Sequence, residues 1–287
     1  MTTITPKAAH MITLDITTTS PFHHGAGTAG NTSILRTQDV VQKDGTITKT
    51  PFLSAASIRH TIREHLAWHT AHTLQWENGT LTKQLVDLIW TGGAVSSTGS
   101  RINLDLYRRV HTLYPALTLL GYAAQSDIVT GTLRATDLIL VCQENNWRLP
   151  QTTQGTRRAA AYRGEEFGTR HDQANTPAGQ YLTLAHPDIT TAQMIWDTQI
   201  LITGSRLYGQ LTLTPAATPQ HKQILGAAMH LWAPNGELTI GAKTAQGYGQ
   251  ARLAHTDPQW GKDLEEWTKH LTTNRNEIND LLQELAS

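Results

Sequence analysis

The sequence contains very little sulfur and no long apolar run. Among its 287 residues there is a single cysteine, Cys142, which excludes an intramolecular disulfide and leaves too few thiolates for a zinc site. The longest apolar stretches, such as residues 138–142, fall far below the roughly 18 residues of a membrane-spanning helix. The N-terminus shows no secretion signal. These absences predict a soluble cytoplasmic protein with no membrane partner, and we expect no metal and no cofactor.

An excess of charge of one sign is also lacking, because 23 Lys and Arg residues balance 23 Asp and Glu residues. This balance excludes a uniformly basic nucleic-acid surface, but the charges are unevenly spread. Residues 257–287 carry seven acidic and three basic side chains, a net charge of −4, so residues 1–256 carry +4. Within these, residues 148–170 hold five arginines against two glutamates. The pattern allows a basic groove on a neutral protein, and an ordinary solvated surface is the alternative.

What is present is a succession of strand and helix patterns. Apolar residues at every second position predict a strand over 10–18, and an apolar stripe at helical spacing predicts a helix over 54–68. Later segments predict strands over 193–203, 207–214 and 237–254 and a helix over 221–232. The βαββαβ order is that of an α+β, ferredoxin-like fold, an antiparallel sheet with two helices on one face, which RNA-recognition modules also use.

We expect the whole chain, residues 1–287, to form one domain with its core in residues 10–68 and 193–254. Two insertions separate these parts. Residues 72–148 form a large insertion of helices and strands, and residues 149–190 form a thumb-like insertion in which hydrophobic periodicity disappears. We expect the second to be a long loop, and such loops in compact domains are usually functional or disordered. An amphipathic helix over 258–286 ends the chain.

Three short blocks contain the clearest functional pattern. Residues 21–30 form a glycine-rich turn after the first strand, residues 50–63 begin a helix with two serines and then two arginines, and residues 241–249 form a second glycine-rich loop. Glycine lets a backbone approach a ligand closely, and the free N–H groups at a helix N-terminus favour phosphate. A capped surface helix and an ordinary β-bulge are the plain alternatives for single blocks.

In this order the blocks resemble the RAMP superfamily of CRISPR-associated proteins, specifically the backbone subunit repeated along the guide RNA in class 1 effector complexes, of a type IV or type III-like kind. Residues 21–30 resemble the family's h-x-G-x-G turn, residues 50–63 its proline- and serine-led helix start, and residues 241–249 its G-x-x-x-x-x-G-y-G loop. One departure is the Ser-Ala-Ala-Ser sequence at 54–57. Many relatives have Gly-Ser-Ser there, so hydroxyl contacts would replace a backbone contact.

The resemblance implies a guide-RNA-binding subunit of an antiviral complex that oligomerises head to tail into a helical filament. Its partners would be copies of itself, other CRISPR effector subunits and, through the guide, the target nucleic acid. The residues expected to contact RNA are His24, Gly25, Gly27, Ser54, Ser57, Arg59, Arg63, Arg157, Arg158, Arg163, Arg170, Gly241, Lys243, Thr244, Gln246, Gly247 and Tyr248. No catalytic residue and no metal ligand is expected.

RNA-cleaving members of the type III branch carry an aspartate shortly after the first glycine turn, whereas residues 31–33 of this chain contain no carboxylate. The resemblance therefore implies a subunit without nuclease activity.

Two enzyme hypotheses stay open beside it. One is a metal-dependent endoribonuclease for target RNA that uses Asp39 or Asp44. The other is a repeat-RNA processing nuclease with His23 or His24 as the base, since histidine titrates near neutrality.

Overall fold

The computed structural model describes residues 10–95, 103–170 and 194–287. The described strands are β1 (Met11–Thr18), β2 (Gly25–Ala29), β3 (Thr32–Leu35), β4 (Thr37–Val41), β5 (Ile47–Leu53), β6 (Gly121–Ala124), β7 (Asp127–Thr130), β8 (Leu133–Ala135), β9 (Leu138–Leu140), β10 (Arg163–Arg170), β11 (Met194–Leu201), β12 (Arg206–Leu213), β13 (Glu237–Thr239) and β14 (Gln250–Leu253). The described α-helices are α1 (Ala55–Leu74), α2 (Lys83–Val86), α3 (Leu104–Leu113), α4 (Pro115–Leu120), α5 (Pro219–Trp232), α6 (Gln259–Thr273) and α7 (Arg275–Leu285).

The main sheet has the strand order β13-β14-β1-β12-β9-β5-β4, and β8 also pairs with β12. Its centre is the antiparallel pair β1–β12, which runs from Met11 opposite Thr212 to Thr17 opposite Arg206. Along β1 the apolar residues at every second position are buried, as the sequence predicts. Helices α1 and α5 pack against each other and against this buried face. The central order β14-β1-β12-β9 with two helices is the expected ferredoxin-like arrangement.

One strand of the predicted core lies elsewhere. The segment predicted as a main-sheet strand over 193–203 forms β11, which belongs to a second sheet of order β10-β11-β3-β2. The position beside β12 is taken by β8 and β9, which come from the segment predicted as an insertion. Both segments have the composition of strands, and pairing across about 70 residues is decided by packing rather than by local pattern. The core therefore includes residues 133–140.

The described part of the thumb-like insertion contains a strand as well as irregular backbone. Strand β10 pairs with β11 in antiparallel register from Arg163 opposite Leu201 to Arg170 opposite Met194. Strand β11 also pairs in parallel with β3, with Asp197 opposite Thr32. The two strands thus form the stem of a hairpin at one edge of the second sheet. Most of the remaining predicted loop lies outside the described residues.

The sequence pattern predicts one C-terminal helix over 258–286, but the structure has two helices, α6 and α7, which are separated at Asn274. The Asn274 side chain donates to the His270 carbonyl (2.9 Å) at the end of α6, and α7 starts at the next residue. Arg275 then donates to Thr73 O (3.0 Å) near the end of α1. Both helices bury an apolar stripe against the core, as predicted from their amphipathic pattern. None of the helices in the described ranges is long and apolar enough to cross a membrane.

Candidate nucleic-acid interface

The first glycine-rich turn, residues 21–30, is fixed between the two sheets. Phe22 and Leu201 exchange two backbone hydrogen bonds of 2.9 and 2.8 Å, and the Phe22 side chain is fully buried. The His23 ring nitrogen Nδ1 lies 2.7 Å from Gln199 O. These contacts lead the chain into β2, where Gly27 is exposed and has a φ of +110°. Gly25 is half-buried at the start of the same strand.

The second glycine-rich loop, residues 241–249, packs directly on the first turn. Ala242 N–H donates to His23 O (2.8 Å), and Gly249 N–H donates to Pro21 O (2.7 Å). Gly241 has a φ of +80°, and a Cβ atom there would lie 2.4 Å from His23 O. Only glycine fits such an approach. The two glycine-rich segments are therefore in direct backbone contact.

Two side chains of the second loop bind a row of polar residues that crosses the second sheet. We call Glu166, Thr198 and Ser33 the polar row, because they lie directly opposite one another on β10, β11 and β3. Lys243 Nζ donates to Ser33 Oγ (3.0 Å) and to Thr198 Oγ1 (2.6 Å). Tyr248 donates its hydroxyl to Glu166 Oε2 (2.6 Å). Burial and the Glu166 carboxylate raise the pKa of Tyr248 to about 12.

These contacts change the roles expected of Lys243 and Tyr248. Both side chains are half-buried, and their polar atoms already have partners within the chain. Thr244, Gln246 and Gly247 lie between them and are exposed at the tip of the loop. The three tip residues are accessible to a ligand, and their contact with RNA stays a prediction, whereas Lys243 and Tyr248 attach the loop to the second sheet.

The N-terminus of α1 lies close to the first turn. The His24 ring meets the ring of Phe52, two residues before the N-cap Ser54, edge to face at 6.1 Å. Ser54 Oγ accepts the N–H of Ser57 (3.2 Å), and the two hydroxyls are 2.9 Å apart. However, Ala55 N–H donates to Asp137 Oδ1 (2.7 Å). A carboxylate of the chain itself thus occupies part of the anion-binding position at this helix end.

The two arginines of α1 face inward, contrary to the expectation that they contact RNA. Arg59 donates to the carbonyl oxygens of Leu120 and Leu133, and Arg63 donates to Gly121 O (2.9 Å). Burial lowers the pKa of Arg59, and burial together with Arg59 lowers the pKa of Arg63 to about 10. Leu120 ends α4, where a cation complements the helix dipole. We therefore remove both guanidiniums from the candidate interface and assign them to the fold.

His24 is also less accessible than its place beside a glycine turn suggests. Its side chain is 9% exposed, and Nε2 has no hydrogen-bond partner among the described residues. Burial, together with the positive charge of Arg36, lowers the pKa of His24 to about 4. Burial lowers the pKa of His23 as well. Both imidazoles are therefore neutral at pH 7 but shielded from a substrate, which disfavours either as a general base.

The exposed positive charge near the first turn comes from other arginines. Arg36 is exposed and donates Nε–H to Gly25 O (3.2 Å). Arg163, also exposed, lines a cleft of about 360 Å³ together with Leu35 and Gln199. Arg157 and Arg158 are exposed on the segment that leads to β10. The side chain of Arg170 lies outside the described residues. Within the described residues, none of the four exposed arginines forms an ion pair.

Sequence reasoning missed Arg36, Asp137 and the polar row. The sequence signal that could have identified Arg36 is its position six residues after the first glycine-rich turn, residues 21–30. Asp137 and the polar row gave no local signal, because each meets its partner across at least 45 residues of chain.

The two aspartates of the endoribonuclease hypothesis lie on the hairpin of β4 and β5. Asp39 pairs with Lys49 (2.8 Å) on the neighbouring strand, and Asp44 accepts bonds from Thr46 within the turn (3.0 and 2.7 Å). Within the described ranges, no three His, Cys, Asp or Glu side chains are grouped so that they could hold a metal ion. The carboxylates thus have structural partners of their own.

Comparison with known proteins gives a match in structure alone. No protein-family model and no curated protein matches the chain. Among solved structures, a chain of "Type IV-B CRISPR Complex" matches with a TM-score of 0.55 and 19% sequence identity, over 87% of this chain and 94% of that chain. The TM-score indicates a common fold, and at this low identity the match shows the fold alone. The match agrees with the α+β, ferredoxin-like architecture described above.

Proposed function

We propose that this chain is a guide-RNA-binding backbone subunit of a class 1 CRISPR effector complex. The observation that carries the proposal is the direct contact between the two glycine-rich segments, made by Ala242 and Gly249 on the first turn. It occurs in a chain that has the fold of a component of "Type IV-B CRISPR Complex". The three sequence blocks in family order support the same assignment.

The chemistry of this surface suits a sugar-phosphate strand held without regard to sequence. A holder of this kind needs backbone amides, hydroxyls and guanidiniums directed at phosphates and 2′-hydroxyls. The exposed loop tip of Thr244, Gln246 and Gly247 offers amides and polar side chains. Arg36 and Arg163 offer guanidiniums beside the first turn, and planar guanidiniums favour bidentate phosphate contacts. Base pairing by the guide would then read the target sequence.

Copies of the chain would bind side by side along one guide RNA. A head-to-tail contact between unlike surfaces generates a filament when its rotation does not close into a ring, and the length of that filament would follow the RNA. The acidic C-terminal helices α6 and α7 and the β10–β11 hairpin would serve either as contacts between neighbouring copies or as elements that cover the RNA. In this proposal the subunit does not cut RNA. Asp39 and Asp44 have partners of their own, and hydroxyl residues occupy positions 32 and 33.

Copy number tests the proposal. The full chain is mixed with repeat-spacer guide RNAs of increasing length, and the mass of each complex is measured by light scattering. A number of copies that rises in proportion to RNA length is expected. One copy per RNA at every length would favour the processing-nuclease hypothesis. Regularly spaced cuts in a labelled complementary RNA with Mg²⁺ would favour the endoribonuclease hypothesis instead.

A further inference from the structure

We propose that Tyr248, Lys243 and the polar row together are a clamp that positions the β10–β11 hairpin for RNA binding. The inference rests on the proposed function and deepens it, because it assigns these residues to orientation and not to RNA contact. None of them need touch the guide. Their effect on RNA affinity would pass through the hairpin.

The clamp spans three strands at two points. Lys243 binds the β3 and β11 members of the polar row, Ser33 and Thr198, at 3.0 and 2.6 Å. Five residues later, Tyr248 binds the β10 member, Glu166, at 2.6 Å. The bond from the Tyr248 hydroxyl to Glu166 is stronger than a bond between neutral groups, because its acceptor is a carboxylate. The loop between the two points therefore lies across the second sheet and holds its strands together.

Apart from the clamp, the attachments of the hairpin among the described residues lie on β11. Strand β11 pairs with β3 at Asp197 and Thr198, and Asp197 also accepts from the Thr32 hydroxyl (2.6 Å). The Phe22–Leu201 pair attaches β11 at its base, and Gln199 contacts His23 and Leu35. Strand β10 is the outer strand of the sheet and is held by these contacts through β11. The Tyr248–Glu166 bond links β10 directly to the second glycine-rich loop, so the clamp fixes the strand that the other contacts leave to its neighbour.

The clamp also decides which face of the hairpin meets solvent. Neighbouring residues of a strand point to opposite faces, so Phe167 points away from the face that carries Glu166. Phe167 is 75% exposed, and Ile195 on the neighbouring strand is 50% exposed. With Glu166 and Thr198 bound to the loop, this apolar face is presented outward. Loss of the clamp would leave its direction undefined.

Glu166 makes the inference distinguishable from a direct role in RNA binding. A carboxylate beside a phosphate-binding surface repels the ligand, so its removal should tighten RNA binding if charge alone matters. If Glu166 acts through the clamp, its removal should weaken binding. The neighbouring Glu165 provides the matched control, since it lies on the same strand but on the opposite, exposed face.

The first measurement is hydrogen exchange of residues 163–170 and 194–201 in the free full-length protein. Glu166→Ala and Tyr248→Phe should each speed exchange about tenfold, the effect of one lost bond to a charged group. Glu166→Gln keeps an acceptor oxygen for Tyr248 and should stay within about threefold of wild type. Unchanged exchange in both Glu166→Ala and Tyr248→Phe would overturn the clamp.

The second measurement is guide-RNA affinity over a series of salt concentrations. Glu166→Ala should bind about fivefold to tenfold more weakly with an unchanged salt slope, because no phosphate contact is lost. Glu165→Ala removes the same charge and should bind as tightly as wild type or more tightly. Binding by Glu166→Ala at least as tight as by Glu165→Ala would overturn the positioning role. Failure of the wild-type chain to bind guide RNA would instead overturn the proposed function, which the exchange measurement does not test.

Discussion

Arg59 stabilises the protein through its guanidinium rather than offering that group to a ligand. It donates to carbonyl oxygens at the end of α4 and the start of β8, so it joins helix α1 to the inserted segment that completes the main sheet. A buried carbonyl that loses its donor costs about 1–3 kcal/mol. An i,i+4 pair of arginines on a helix therefore need not mark a phosphate site.

The Arg59→Met variant keeps the length of the side chain but removes every donor. We expect its free energy of unfolding in urea to fall by about 2–4 kcal/mol, because Leu133 O loses the Arg59 donor and Leu120 O keeps only the long bond from Arg63 (3.5 Å). The control is Arg36→Met, at an exposed arginine, which should change stability by less than about 1 kcal/mol. A stable Arg59→Met protein with a selective loss of RNA affinity would return Arg59 to the interface.

Among the elements, the second glycine-rich loop offers a matched pair of glycines. Gly241 and Gly247 have nearly the same positive φ, +80° and +87°. They differ in what surrounds them. A Cβ on Gly241 would lie 2.4 Å from His23 O, whereas nothing lies within 4 Å of a Cβ on Gly247. The pair separates the cost of the left-handed conformation from the cost of pushing the two glycine segments apart.

We expect Gly247→Ala to destabilise the protein by about 1 kcal/mol, which is the conformational cost alone. Gly241→Ala should cost about 2–4 kcal/mol, because the methyl group also collides with backbone that cannot rotate away. Urea denaturation of the two variants measures both values. Equal losses would mean that the contact between the two segments contributes nothing to the fold.

For the whole molecule, a net charge of zero means that attraction to RNA must come from a local surface. Arg36→Glu and Arg108→Glu change the net charge by the same amount. Arg36 lies beside the first glycine turn, whereas Arg108 lies on α3 and pairs with Asp105. Any difference between the two variants in RNA binding thus reports position and not total charge.

Arg36→Glu should weaken guide-RNA binding about tenfold at physiological salt and reduce the salt slope by about one. Arg108→Glu should stay within about twofold of wild type. Fluorescence anisotropy with labelled guide RNA over a salt series measures both quantities. Equal weakening by the two substitutions would contradict a localised basic interface.

Much of the local structure follows from residues that are close in sequence. The alternation of Ile12, Leu14 and Ile16 predicts β1 and its buried face, and Ser54 caps α1 as its position indicates. Gly241 takes up a left-handed conformation in the predicted second loop. These features could be predicted because each depends on interactions within a few residues of chain.

Only the tertiary structure decided which strands pair with β12. It also decided which arginine side chains are turned inward and that Lys243 binds hydroxyl groups of the second sheet. Segment 193–203 and the β8–β9 segment have similar composition, so the choice between them rests on packing against α1 and β12. Arg59 and Arg36 are the same residue type, and one meets carbonyl oxygens that lie 61 and 74 residues away while the other stays at the surface. Such partners are brought together by the collapse of the whole chain, and no local pattern records them.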